Sequence, residues 1–324
     1  MNIKGLSGAQ AFLELLSGMG IDRIFASPGS EWAPVWEYLA KPDLRDKLTY
    51  LSSRHEDVAV GMASGYAKAT GKLAAVMLHT TVGTLHAAMA LRGAFHENIP
   101  MVIFAGESTG FGEEASPDPG QQWLRGLADI GGPARVIEHS VKWSFGVNTK
   151  AVLPATIQRA AQLAMASPRG PVFISLPMEL LFETMTVGAP AAAALPLPPA
   201  ADPYGVKELA EMLLAANNPV IVAEASGRSV QAVERVVELA GLLGIPVAET
   251  RYPAYMNFPR THPLHAGFEP LESSRRRTWY CCSRRLLRGI RLQRDPSRAR
   301  KSQFLTKILC VRMSLSGLTR SIFA

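Results

Sequence analysis

From Gly8 to Pro177 the chain alternates between two hydrophobic patterns. Short continuous apolar runs are followed by stretches in which apolar positions recur at helical spacing. "GAQAFLELLSGMG" reads as a helix with a Gly stop, and "DRIFASPG" as a short buried strand entering a Pro-Gly turn. "EWAPVWEYLA" reads as a helix with Trp32, Val35 and Trp36 on one side, and "LTYLSS" as a strand. A helix of small residues begins near Glu56, followed by the strand "KLAAVMLHTTVG", the helix "TLHAAMALRGAFHEN" and the strand "IPMVIFAGE". The helix "TKAVLPATIQRAAQLAMAS" and the strand "GPVFISLP" close the series. Continuous apolar strands alternating with helices predict an α/β fold: a parallel sheet flanked by helices on both faces.

Residues 1–186 are therefore expected to form one domain. "VGAPAAAALPLPPAADP", residues 187–203, has no period and reads as an Ala/Pro linker. A second α/β unit begins at 204 with two helix–strand pairs, the last strand being "IPVAETR". The alternation then stops, which predicts an incomplete domain over 204–271.

Composition changes the picture at the C-terminal end. The chain has 324 residues, 48% hydrophobic and 19% charged, as expected of a globular protein. Its formal charge of +7 is unevenly spread. Residues 275–324 hold 14 Lys and Arg against one acid, Asp295, and the rest holds 20 basic and 26 acidic residues. All three cysteines, Cys281, Cys282 and Cys310, also lie there, in no metal-binding spacing. The stretch 272–324 has no usable apolar face. It reads as the product of a coding frame shifted near Ser274 in preference to a nucleic-acid-binding arm, because Arg clusters without a motif are a weak signal. No leader pattern and no membrane-length apolar run is visible, so a cytoplasmic protein without a membrane partner is expected.

The candidate chemistry sits at strand ends, where parallel sheets bind ligands. Four polar stretches fall there: "SPGS" (27–30), "SSRHE" (52–56), "LHTTVGT" (78–84) and "GES" (106–108). Together they offer a serine, a carboxylate and a histidine. Glu56 has two readings. With Ser53 three residues earlier it could close a capping box, the reading the residues alone favour. It could also be a carboxylate buried to face a ligand, with Ala59, Gly61, Ala63, Ser64, Gly65 and Ala67 allowing close approach. The remaining histidines, His86 among them, show no metal-ligand spacing.

In order, "IFASPGSEWAPVWEYL", "RHEDVAVGMASGYAKATGK", "VMLHTTVGTLHAAMALRGAFHENIPMVIFAGE", "SVKWSFGV" and "SPRGPVFISLP" resemble the thiamine diphosphate enzymes of the acetolactate synthase and 2-keto acid decarboxylase group. The "PGS" turn, the "LH" strand end with "GT" after it and "VKWS" are most similar to the benzoylformate decarboxylase branch.

This resemblance implies that Glu56 bonds the aminopyrimidine ring of thiamine diphosphate and sets its tautomer. It outweighs the cap reading. It implies that Ser30 handles the substrate carboxylate of a 2-keto acid, that His79 moves protons, and that Gly29 and Gly83 let the backbone close on the pyrimidine. A homo-oligomer is implied as well. There are departures. His86 stands where the family usually has asparagine. The family's substrate-contacting glutamine cannot be placed, Gln121 and Gln122 being only candidates. The Gly-Asp-Gly motif and downstream Asn that hold Mg2+ and the diphosphate have no match here. A decarboxylase is expected first, present here as a fragment that lacks the diphosphate-binding domain and is inactive on its own; an acetolactate synthase-like carboligase is the second reading, and a non-catalytic fragment or tail-mediated nucleic-acid binder the third.

Overall fold

The computed structural model describes residues 2–41, 47–107, 131–188, 196, 200–268 and 278–281. Gln121, Gln122, Cys282, Cys310, most of 187–203 and most of the basic stretch lie outside the described residues. The chain divides into two units, Met1–Leu197 and Pro198–Ala324.

The first unit runs β1 (Asn2–Ser7), α1 (Gly8–Gly18), β2 (Arg23–Ser27), a 3-10 turn (Ser30–Trp32), α2 (Ala33–Leu39), β3 (Thr49–Ser52) and α3 (Glu56–Thr70). It continues through β4 (Ala74–Leu78), α4 (Thr80–His86), α5 (Ala88–His96), β5 (Met101–Glu107), α6 (Pro133–Ile137), β6 (Trp143–Gly146), α7 (Leu153–Met165), β7 (Pro171–Pro177), α8 (Met178–Phe182) and β8 (Thr184–Gly188). Six strands form one sheet in the order β3-β2-β4-β5-β7-β6, every pair parallel. The expected parallel α/β sheet is thus present.

Alternation along the strands explains why both faces are covered. Ile24, Ala26, Ala75, Met77, Val102, Phe104, Val172 and Ile174 share one core with Phe12, Leu13 and Leu16 of α1 and Ala160, Ala161 and Ala164 of α7. Phe25, between Ile24 and Ala26, instead meets Tyr66 of α3, ring centroids 5.8 Å apart. α3 buries Ala59, Val60, Ala63 and Ala67. Small side chains on that stripe let the helix lie close to the sheet. Gly61 and Gly65 are exposed, and a Cβ on either would meet nothing within 4 Å. Half of the small-residue pattern therefore serves packing.

Two strands were not anticipated, and two local readings are corrected. β1 and β8 pair antiparallel as a separate ribbon, and neither has the apolar run that marks a buried strand. The helix expected over 84–98 starts at Thr80 and breaks at Ala87 into α4 and α5. The Ser53–Glu56 capping box does not form. His55 is the N-cap of α3, its Nδ1 accepting from Asp57 N at 3.3 Å. Ser53 Oγ donates to the carbonyls of Ala26, at 3.1 Å, and His55, at 2.9 Å.

The second unit contains α9 (Pro203–Ala215), β9 (Pro219–Ala223), α10 (Val230–Leu243), β10 (Val247–Glu249), β11 (His265–Phe268) and β12 (Thr278–Cys281). Its sheet, in the order β11-β10-β9-β12, is parallel throughout. β12 falls within the stretch read as basic tail, and its backbone pairs with β9 from Pro219 to Val222. Glu249 is fully buried at the end of β10. It accepts from Asn257 N and Nδ2, both at 3.2 Å, and lies 3.3 Å from His265 Nε2, so this carboxylate is matched by its own loop. No helix among the described residues is long and apolar enough to cross a membrane.

Candidate active site

Because the sheet is parallel, the carboxyl ends of β3, β2, β4 and β5 lie on one edge, where the polar stretches that end or follow these strands also lie; Ser108 falls outside the described residues. The chain passes from β2 outward to β3, then returns across β2 to β4. β2 and β4 are thus neighbours at a reversal of strand order, the place where parallel α/β sheets generally bind ligands.

Those loops are tied to each other. Trp32 Nε1 donates to the carbonyl of Leu78, the last residue of β4, at 2.9 Å. Glu31 is only 1% exposed. Its Oε1 accepts from Thr80 N at 3.2 Å, and its Oε2 lies 3.1 Å from His79 Nδ1. Thr80 has φ +27°, an uncommon value for a β-branched residue, held where its N–H meets this carboxylate.

The carboxylate needs space that two glycines leave open. A Cβ on Gly106 would lie 2.1 Å from Glu31 Cγ. One on Gly29 would lie 2.0 Å from His79 Nδ1 and 2.4 Å from Glu31 Oε2. The room at Gly29 is therefore taken by the chain's own Glu31–His79 pair. Gly106→Ala should push Glu31 off His79 and lower stability by about 1–3 kcal/mol, since the buried Cγ has nowhere to retreat. Urea denaturation checks this, and an unchanged midpoint would contradict it.

The Glu31 hydrogen bond raises the His79 pKa above the ordinary imidazole value; burial opposes the shift, and the charges of Glu31 and Glu56 add to it. A neutral imidazole donating Nδ1–H to Glu31 keeps Nε2 unprotonated, ready to take a proton.

Glu56 is the first residue of α3 and 9% exposed, where the helix dipole favours negative charge. A Cβ on Gly83 would lie 3.0 Å from Glu56 Oε1 and 3.2 Å from His79 Cβ. Glu56, Gly83 and His79 are therefore mutual neighbours. Glu56 Oε2 also lies 3.3 Å from His86 Nδ1, and the His86 ring stacks on His55 with centroids 5.3 Å apart. Ser30 is exposed at the head of the 3-10 turn, beside Gly29. Glu107, from "GES", accepts from Ser175 Oγ of β7 at 2.7 Å, on the side of β5 away from β4.

Sequence reasoning missed Glu31. An acid just after a Pro-Gly turn and before a helix reads as an ordinary first-turn acid. Its only further signal is "GE" at the end of β5, a glycine where an apolar strand has no local need of one.

Residues 6–122 match the family described as thiamine pyrophosphate enzyme, N-terminal TPP binding domain, and residues 206–280 match its central domain. The chain belongs to the thiamine pyrophosphate enzyme family. It is 30% identical over 262 residues to a benzoylformate decarboxylase of Pseudomonas aeruginosa, covering 80% of this chain and 47% of that protein. It is 31% identical over 268 residues to an acetolactate synthase of Mycobacterium bovis, covering 82% of this chain and 41% of that one. Among solved structures it resembles a thiamine diphosphate-dependent 4-hydroxybenzoylformate decarboxylase of Rhodococcus jostii, with TM-score 0.68 and 26% identity over 81% of this chain and 48% of that one. The chain thus spans about half the length of these relatives.

Proposed function

We propose that this chain supplies the pyrimidine-binding half of a thiamine diphosphate-dependent 2-keto acid decarboxylase. The convergence of Glu56, Gly83 and His79 beside the reversal of strand order carries this reading. The residues fit the pyrimidine part of the cofactor: a carboxylate beside the reversal of strand order, with a glycine where a Cβ would press on it. When bound, the cofactor supplies a carbon nucleophile and an electron sink for cleavage beside a keto carbonyl.

Glu56 would bond a ring nitrogen and hold a proton there. His79, oriented by Glu31, would move a proton through Nε2, and Ser30 would hold the substrate carboxylate. Mg2+ takes oxygen ligands. Among the described residues the one group able to hold a metal is His55, Glu56 and His86, whose two imidazoles do not suit that ion. Among the described residues no oxygen-rich donor set for the diphosphate's Mg2+ is therefore assigned.

Val58, Val82, Leu85 and Met89 are exposed on α3, α4 and α5, which supports an assembly of two or more copies. The acetolactate synthase relatives keep a second reading open, carboligation of two 2-keto acids, which product analysis of the whole enzyme would separate: aldehyde for one, a branched hydroxy-keto acid for the other.

The binding half is tested on this chain. Millimolar thiamine should move the imidazole resonances of His79 and His86, and thiamine diphosphate should bind no more than about tenfold tighter, a difference of ~1.4 kcal/mol. Resonances that stay in place would overturn the reading.

A further inference from the structure

Two histidines beside Glu56 are left over by this function. His55 closes the N-terminus of α3 and His86 ends α4; their rings stack at 17°, and His86 Nδ1 lies 3.3 Å from Glu56 Oε2. One donor atom from each of the three residues lies within 4.8 Å of the other two. We propose that His55, Glu56 and His86 form a binding site for a divalent first-row transition metal, with Zn2+ the best match.

The donor set argues for this class of ion. Two imidazoles and one carboxylate, with water in the fourth position, are a common tetrahedral arrangement for Zn2+. Hard ions such as Mg2+ and Ca2+ select oxygen donors instead. Geometry agrees. Two ligands bonded at about 2.0–2.1 Å to a tetrahedral ion stand about 3.3 Å apart. Glu56 Oε2 and His86 Nδ1 are already 3.3 Å apart.

The remaining separation is closed by a swing of His55. Both histidines are exposed, so little packing opposes that rotation. His55 Nδ1 now accepts from Asp57 N at 3.3 Å. Coordination through either ring nitrogen ends that role, since the other then carries the proton. The bond lost is long and exposed. Glu56 is the buried member and supplies negative charge to offset the cation. No sequence spacing reveals the site, because its ligands come from the start of one helix and the end of another. A metal here would occupy Glu56 and exclude a pyrimidine from it. That rivalry rests on the proposed function; the metal site itself does not.

The test uses the purified 324-residue chain, without thiamine. Calorimetric titration with Zn2+ should show one ion per chain. His86→Asn and His55→Asn should each weaken binding at least about tenfold, as losing a ligand costs no less than losing its outer-shell partner. Replacing Cys281, Cys282 and Cys310 together by serine should leave the affinity unchanged. Far-UV circular dichroism checks that each variant is folded. Visible spectra of the Co2+-loaded wild type give a readout that needs no variant, with nitrogen and oxygen ligation expected and no thiolate charge-transfer band. Absence of Zn2+ binding, a thiolate spectrum, or affinity unmoved in both histidine variants would overturn the site. Each of these outcomes is read without a thiamine compound, so they leave the proposed function to its own test.

Discussion

Glu31→Ala should cost the first unit about 2–3 kcal/mol and return the His79 pKa toward the ordinary imidazole value. The carboxylate is almost fully enclosed, and it satisfies both the Thr80 N–H and the His79 ring. Removing it leaves a strained backbone donor without its acceptor and opens a void between Gly29 and Gly106. Glu31→Gln should cost less, because an amide oxygen can still accept from Thr80. The two variants separate hydrogen bonding from charge.

The charge part has a defined pH sign. The folded-state pKa of His79 is raised, chiefly by the hydrogen bond to Glu31. Stability from this source is fully present below the unfolded imidazole value, about 6.5, and is lost as pH rises through the raised folded value. The stability gap between wild type and Glu31→Gln should therefore be larger at about pH 5.5 than at about pH 8.5 in urea denaturation. A gap independent of pH would mean that the pair contributes no charge interaction, and the assignment of Glu31 as the group that orients His79 would fall.

What the sequence made legible follows the range of the forces involved. β2, β4, β5 and β7 were readable because strands buried on both faces must be apolar throughout. Parallel strands in turn bring their following loops to one edge, so Glu56 and His79 could be placed together before any distance was known. Glu31 could not be found this way. Its burial depends on Gly29, Gly106 and the backbone of Thr80, contributed by three different strand ends. The His55 cap was hidden for a similar reason: Ser53, the better capping residue by type, is drawn off by the carbonyl of Ala26 on the neighbouring strand. β1 and β8 lack pattern because their pairing is tertiary, and the His55–His86 stack lacks spacing because it joins two helices.

Under the proposed function, Glu56→Gln should lower turnover of the whole enzyme by at least about 100-fold, the usual scale for losing a positioned acid–base group. The same change in this chain should weaken thiamine binding by about tenfold, or ~1.4 kcal/mol. The argument depends on the substitution being mild for the fold. Glutamine has the same shape, and its side-chain oxygen can still face His86 Nδ1. The loss of negative charge at the first turn of α3 costs about 0.3–1 kcal/mol, too little to unfold the unit. His86→Asn is the companion variant, because it touches the same carboxylate without removing it. It should keep thiamine binding within about threefold, well under 1.4 kcal/mol, while Glu56→Gln does not. If both variants bind thiamine like wild type, Glu56 is a packing and helix-end residue and the cofactor reading fails. If both weaken it equally, the pair acts as one unit and the role given to Glu56 alone is wrong.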